Sequence, residues 1–283
     1  MVYRGTYSII PYTNLPSHRS LDRSTSRTRK IANGSGEIMI EEVSVVMSAY
    51  NEEEGVGKVI KEWVAVLEED ESIKKWEIVV CDDGSRDGTG VIIDNLASQD
   101  ARIMTFHNKS NLGASISIRR ALQRTKYNWI MFTDADDQFP AINIRALIAA
   151  ACTYKSAYAF SGVRQHKKDK FMRRVGAVVT TKVVNWSYKT CYRDVSSIFK
   201  LVHGDLARAL ILESTGLNFS VELSLRVIEA DKNWVEVPIL HHSRSFGKPS
   251  WQFKSEATKR AAFVGYMALR KLLFSKQILQ PIS

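Results

Sequence analysis

The sequence predicts an α/β fold: a mostly parallel sheet flanked by helices. Three observations predict it. Short apolar, β-branched runs alternate with segments of helical period from Glu42 to Cys152. The runs are continuously apolar, as strands covered on both faces are. The loops after Met47, Cys81 and Phe132 are polar and acidic, and open α/β sheets bind ligands at the carboxyl ends of their strands.

The elements follow in order. Residues 1–40 carry Arg4, Arg19, Arg23, Arg27, Arg29 and Lys30 among Ser, Thr, Pro and Gly, without hydrophobic period. They read as a disordered basic arm, with an organelle transit peptide as the weaker reading. Val43–Ser48 is a strand, and Val56, Ile60, Trp63, Val64 and Leu67 mark one face of the helix after it. Trp76–Cys81 is the second strand and Val91–Ala97 its helix. Arg102–His107 and Ala114–Arg124 repeat the pair, and Trp129–Thr133 is the fourth strand. Pro140 opens a helix reaching Cys152. Beyond it the pattern weakens: a strand at Ala157–Val163, helices over 205–214 and 219–230, and a strand at Trp234–Leu240. From Arg164 to Lys200 inclusive there are ten Lys or Arg against Asp169 and Asp194, a segment with no element assigned. Residues 251–283 form a separate basic, amphipathic C-terminal helix, centred on Glu256–Ile278, that lies on an anionic membrane or packs on the domain at 41–250.

The chain has 283 residues and a net charge of +10. That balance suggests an anionic partner: a nucleic acid, a membrane surface or a phosphorylated substrate. Cys81, Cys152 and Cys191 match neither a zinc spacing nor a disulfide framework. His107, His203, His241 and His242 have no metal-ligand spacing and read as structural or surface residues. No apolar run is long enough to span a bilayer.

The chemistry concentrates in Trp129–Gln138, where an apolar strand ends in Asp134, Asp136, Asp137 and Gln138. Asp134 and Asp136 are two apart, so on an extended backbone they share a face. Two such carboxylates repel unless a cation lies between them. A hard divalent ion with oxygen ligands, shared with substrate phosphates, meets that need. The loop Cys81-Asp82-Asp83-Gly84-Ser85-Arg86-Asp87-Gly88-Thr89 turns tightly at its glycines, and Asp82 or Asp83 can accept from a base N–H or a ribose hydroxyl. In Ser48-Ala49-Tyr50-Asn51-Glu52, Tyr50 can stack on a base and Glu52 can accept hydrogen bonds.

Together these loops resemble the family 2 glycosyltransferases of GT-A fold. Ser48–Glu52 resembles that family's P-x-Y-N-E element with Ser48 for proline; residues 82–89 match D-D-G-S-x-D-G-T; Asn111-Leu112-Gly113 resembles N-x-G; residues 134–138 match D-A-D-x-Q. The last form is similar to the polyprenyl-phosphate, or dolichol-phosphate sugar synthase, branch. Asp194–Lys200 resembles that branch's D-x-(T/S)-S-x-F-(R/K) element, and Val235–Ile239 followed by Arg244–Ser250 resembles E-V-P-I and R-x-x-G-x-S.

The resemblance implies a GT-A (Rossmann-like) fold, Mg²⁺ or Mn²⁺, and a nucleotide-diphosphate sugar donor. It implies inverting transfer to an acceptor, a polyprenyl phosphate first and a soluble hydroxyl second. Asp134, Asp136 and Gln138 would hold the metal. Ser48, Tyr50, Glu52, Asp82, Asp83, Asn111 and Asp134 would hold the donor. Arg164, Arg173, Arg174 and Arg244 would meet acceptor phosphate, with Asp136 and Arg244 in the catalytic step. Asp194 would be the base if the acceptor were a hydroxyl. The expected location is cytoplasmic, at the inner face of a membrane. A sugar nucleotidyltransferase lacks support because no Gly-rich phosphate loop follows the first strand, and no aromatic-basic motif supports nucleic acid as partner. Oligomeric state is open.

Overall fold

The computed structural model describes residues 40–164, 171–230, 232–244 and 253–275. The basic arm at 1–39 lies outside these residues, as do Phe246, Gly247 and Lys248; the side chains of Arg173 and Arg174 are likewise not described.

Seven strands form one sheet in the order β3-β2-β1-β4-β6-β5-β7. β1 (Glu42–Ala49), β2 (Lys75–Asp82), β3 (Ile103–His107) and β4 (Trp129–Phe132) run parallel to one another. β5 (Ala159–Arg164) and β7 (Trp234–Ile239) are parallel to each other. β6 (Lys200–His203) runs antiparallel to both β4 and β5, a strand the sequence pattern did not assign. Its four residues are too few for a periodicity signal. This one reversal brings the amino end of β6 to the edge where the other six strands end.

The strands are apolar because both faces are covered. Val45, Val46, Ile78, Val79, Val80, Ile130, Met131 and Phe132 are buried in one core with Ile60, Trp63 and Leu67 of α1 (Val56–Glu69). α2 (Thr89–Gln99) and α3 (Ala114–Leu122) complete the βα units. Pro140 does not open a helix directly: a 3-10 turn at Ala141–Asn143 comes first, and α4 is Ile144–Thr153.

The basic stretch after Arg164 contains α5 (Phe171–Tyr188), a helix the sequence reading left unassigned. Its pattern is masked because Thr180, Thr181 and Ser187 face inward while Val175, Val178 and Val179 face outward. The helix expected over 205–214 is shorter, α6 (Gly204–Ala209). The chain turns extended at Leu210 because buried Glu222 of α7 (Phe219–Glu229) captures the Glu213 and Ser214 amides, both at 2.8 Å. α8 (Phe253–Ser275) packs Val264 and Met267 against Val184 and Tyr188 of α5 and against Val221 and Leu225 of α7. No described helix is long and apolar enough to cross a membrane.

Candidate active site

Two loops at the carboxyl ends of β1 and β2 are laced together. The Asn51 amide donates to Ser85 Oγ (3.0 Å), the Glu52 amide to Thr89 Oγ1 (2.8 Å), and Asn51 Oδ1 accepts from the Arg86 amide (2.9 Å). Asn51 adopts φ 54° within this lacing, so Tyr50 and Glu52 are held by backbone contacts on both sides.

Asp83 is spent on structure. Its Oδ1 accepts from Asn108 Nδ2 and the Leu112 amide, both at 2.8 Å, and its Oδ2 from the Gly113 amide at 2.9 Å. It anchors the loop carrying Asn111; its Oδ1 is filled, and its Oδ2 keeps one lone pair. Asp82 keeps more free acceptor capacity than Asp83. The Asp82 carboxylate accepts the Ser85 amide on Oδ1 (3.0 Å) and contacts the His107 ring on Oδ2 (2.9 Å). One lone pair remains on each oxygen.

Gly84 makes the close approach of these loops possible. Its φ is +73°, and a Cβ there would lie 2.5 Å from the Ser110 carbonyl carbon and 2.9 Å from the Asn111 nitrogen. Gly84→Ala is expected to destabilise the protein by about 2 kcal/mol or more, since strain and a backbone clash coincide. Urea unfolding measures it; an unchanged midpoint would refute the packing argument.

The acidic cluster lies beside these loops, past the end of β4. Arg244, in the segment after β7, pairs with Glu52 and lies 3.6 Å from Asp136. Burial, followed by the Asp136 and Glu52 charges, pushes the Asp134 carboxyl up to about 8, while Arg244 and Arg164 oppose the rise. Burial pushes Glu52 up to about 7 against the pull of Arg244. Three acids thus crowd into a space that the two guanidiniums only partly neutralise. Gln138 Nε2 donates to the His242 carbonyl at 3.4 Å, and its amide oxygen is the atom it can offer a cation. The His242 amide returns a bond to the Gln138 carbonyl at 2.9 Å.

A divalent cation fits this donor set chemically. Among the described residues no group of three His, Cys, Asp or Glu is arranged to hold a metal alone. A few protein oxygens, completed by a diphosphate, is the way Mg²⁺ commonly binds. Asp137 is separate: it takes φ 62° and pairs with Lys58 at 2.8 Å.

Asp194 is not an accessible base, contrary to the sequence expectation. It is 0% exposed, and the 11%-exposed Arg164 holds it in a fork, with Nε to Oδ2 at 2.8 Å and Nη2 to Oδ1 at 3.1 Å. The Ser196 amide also donates to its Oδ1 at 3.3 Å. Behind it lies buried Lys200, whose Nζ has no hydrogen-bond partner among the described residues. Burial lowers that amine to about 7 although Asp194 pulls it up. Glu236 accepts the Arg193 and Asp194 amides (2.8 and 3.0 Å), and burial raises it. Sequence reasoning named Arg164 and Asp194 separately and missed both Lys200 and Glu236 as their neighbours. The signal was the register, which aligns Ser161 with Lys200 and with Glu236 across three strands.

The residues expected to hold the donor and metal thus gather at one edge of the sheet. Arg164 is within electrostatic reach of that group, and Arg173 and Arg174 fall on the first turn of α5 without described side chains.

A curated protein of Shewanella sediminis, named undecaprenyl-phosphate 4-deoxy-4-formamido-L-arabinose transferase, is 26% identical over 216 residues. That match takes in 76% of this chain, and the chain spans only 63% of the relative's length. Crystal structures of glucosyl-3-phosphoglycerate synthase from Mycobacterium tuberculosis share the fold. The complex with Mn²⁺, uridine diphosphate and glucosyl-3-phosphoglycerate has a TM-score of 0.63 at 17% identity, over 82% of this chain and 80% of that one. The complex with Mn²⁺ and UDP-glucose has 0.62 at 16% identity, over 85% and 81%. The family profile described as Glycosyl transferase family 2 matches residues 44–205, more than half of the chain. This chain belongs to glycosyltransferase family 2 and has the GT-A fold.

Proposed function

We propose that the protein is a metal-dependent, inverting enzyme that moves a sugar from a nucleotide diphosphate to a polyprenyl phosphate at a membrane surface. One observation carries the reading: Glu52, Asp134 and Asp136 crowd together at the strand ends with Arg244 between Glu52 and Asp136. Asp134, Asp136 and the Gln138 oxygen would hold Mg²⁺ or Mn²⁺, which when bound neutralises charge developing on the departing diphosphate. Ser48, Tyr50, Asp82 and Asn111 bound the nucleoside end. Glu52 orients Arg244, whose guanidinium offers planar, paired donors to phosphate.

Two observations favour a phosphate acceptor. Asp194, the candidate base for a hydroxyl, is sealed under Arg164, whereas a phosphate monoester is already anionic near neutral pH and needs no base. The second is the surface of α5. Val175, Val178, Val179 and Trp186 recur at helical spacing on its exposed face, with Trp186 72% exposed and Lys182 and Lys189 beside them. α8, packed alongside, exposes Tyr266, Leu269 and Leu272. An outward apolar stripe with tryptophan and lysine suits the interface of an anionic bilayer. The structural neighbours' complexes with phosphoglyceric acid support the alternative, a soluble acceptor.

The test is sugar transfer from a panel of radiolabelled UDP- and GDP-sugars, with Mn²⁺, to undecaprenyl phosphate or to soluble saccharides and phosphoglycerate. Label should enter the organic phase with the lipid phosphate and should stop doing so in EDTA. Transfer to soluble acceptors alone, or unaffected by EDTA, would overturn the reading.

A further inference from the structure

The His107 ring bridges two carboxylates. Nδ1 lies 2.9 Å from Asp82 Oδ2 and Nε2 lies 3.0 Å from Asp94 Oδ1. Carboxylate oxygens only accept, so both ring nitrogens must donate, and only the imidazolium donates from both. The bridge joins three elements: β3 supplies His107, β2 supplies Asp82 and α2 supplies Asp94. The sheet register puts His107 directly opposite Asp82. Thr105 Oγ1 donates to the same Asp94 oxygen at 2.8 Å, which fixes the far carboxylate. The first turn of α2 closes over the pair at Gly90, where a Cβ would meet Asp82 Oδ2 at 3.3 Å and His107 Cε1 at 3.4 Å.

Asp82 offers the nucleoside one free acceptor site on each oxygen, whereas Asp83 keeps one on Oδ2 alone. A carboxylate reads a base or ribose well only if it cannot rotate and keeps its charge. Ser85 restrains one oxygen and His107 the other. We propose that His107 is a positioning residue for the donor: as an imidazolium it locks Asp82 in the orientation that accepts from the nucleoside, and the lock loosens when the ring loses a proton, because the one N–H left cannot serve Asp82 and Asp94 together. This rests on the proposed use of a nucleotide-sugar donor. The charged groups facing the ring are Asp82 and Asp94; the bond to Asp82, with help from Asp94, holds the ring's proton above the ordinary histidine value against a smaller effect of burial.

The experiment measures binding of UDP and of GDP, each with Mn²⁺, to the full chain from pH 6 to 9 by calorimetry. It compares wild type with His107→Gln and Asp94→Asn, using the tighter nucleotide. Taking the ratio of variant to wild-type Kd cancels the titration of the acidic cluster, which all three proteins share. For His107→Gln the ratio should be about tenfold at pH 6 and fall toward one at pH 9, the size of one hydrogen bond to a charged group. For Asp94→Asn, which leaves Asp82 and the ring in place, affinity at pH 6 should stay near wild type and be lost at lower pH than in wild type. Proton-detected titration of the His107 ring should show the same downward displacement without any nucleotide. A ratio that is independent of pH, or a ring titration unmoved by Asp94→Asn, would overturn the lock while leaving the donor reading intact. Failure of wild type to bind either nucleotide at any pH would overturn the donor reading and this inference with it.

Discussion

Asp136→Asn is expected to lower sugar transfer by about three orders of magnitude, the scale seen when a group that stabilises transition-state charge is removed. The same substitution should leave the fold intact and raise the stability of the metal-free protein. The two effects have opposite sign for one reason. Asp136 sits among Asp134, Glu52 and Arg244, and its charge helps push the Asp134 carboxyl up to about 8. Removing it relieves repulsion in a site with more negative than positive charge. The same excess of charge is what would hold a cation against a diphosphate. Function and stability therefore draw on the residue in opposite directions, a pattern expected of active sites. Transfer assays and thermal unfolding in EDTA measure the two arms. Full activity in the variant would remove Asp136 from the metal site, and a lowered unfolding temperature would show that its charge is compensated by something other than a bound cation.

The acidic cluster was legible in the sequence because its residues are consecutive. Asp134, Asp136 and Gln138 follow a buried strand within a few positions, so local periodicity alone puts them at its end. The lacing of Asn51 to Ser85 was half legible: both loops were marked, but their mutual bonds depend on β1 and β2 being neighbours. The pair of Glu52 with Arg244 was not legible. Each was singled out on its own, yet 192 positions separate them and only the return of the chain after β7 joins them. The same holds for His107, which resembled a surface histidine until β3 was seen paired with β2. Asp194 shows the converse error. Its residue type suited a base, but burial and the Arg164 fork decide its chemistry, and neither is written in local sequence. α5 escaped detection because Thr180, Thr181 and Ser187 are buried while Val175, Val178, Val179 and Trp186 are exposed, against the pattern that marks a helix packed on a core.

Asp194→Ala should be the most destabilising substitution near the site, by about 3–5 kcal/mol, the usual loss when one partner of a buried ion pair is removed. The carboxylate is 0% exposed, takes both bonds of the Arg164 fork and lies next to buried Lys200. Without it, a nearly buried guanidinium and a buried amine are left facing each other. At about 2–4 °C per kcal/mol for a domain of this size, the unfolding temperature should fall by roughly 10 °C. The loss should also depend on pH, with a sign fixed by Lys200. Its folded value is depressed to about 7, so the folded state loses stability as pH falls from the unfolded value of 10.5 toward 7, where the buried amine takes up its proton. Asp194 stabilises only the protonated form of that amine. The difference between variant and wild type should therefore be larger at pH 6 than at pH 9, when the amine is neutral and only the loss of the Arg164 fork remains. Residual transfer should fall because Arg164 is no longer held, with the pH profile of kcat keeping its wild-type shape. A stable variant whose kcat loses an ionisation would restore Asp194 as a base and would favour a hydroxyl acceptor over a phosphate.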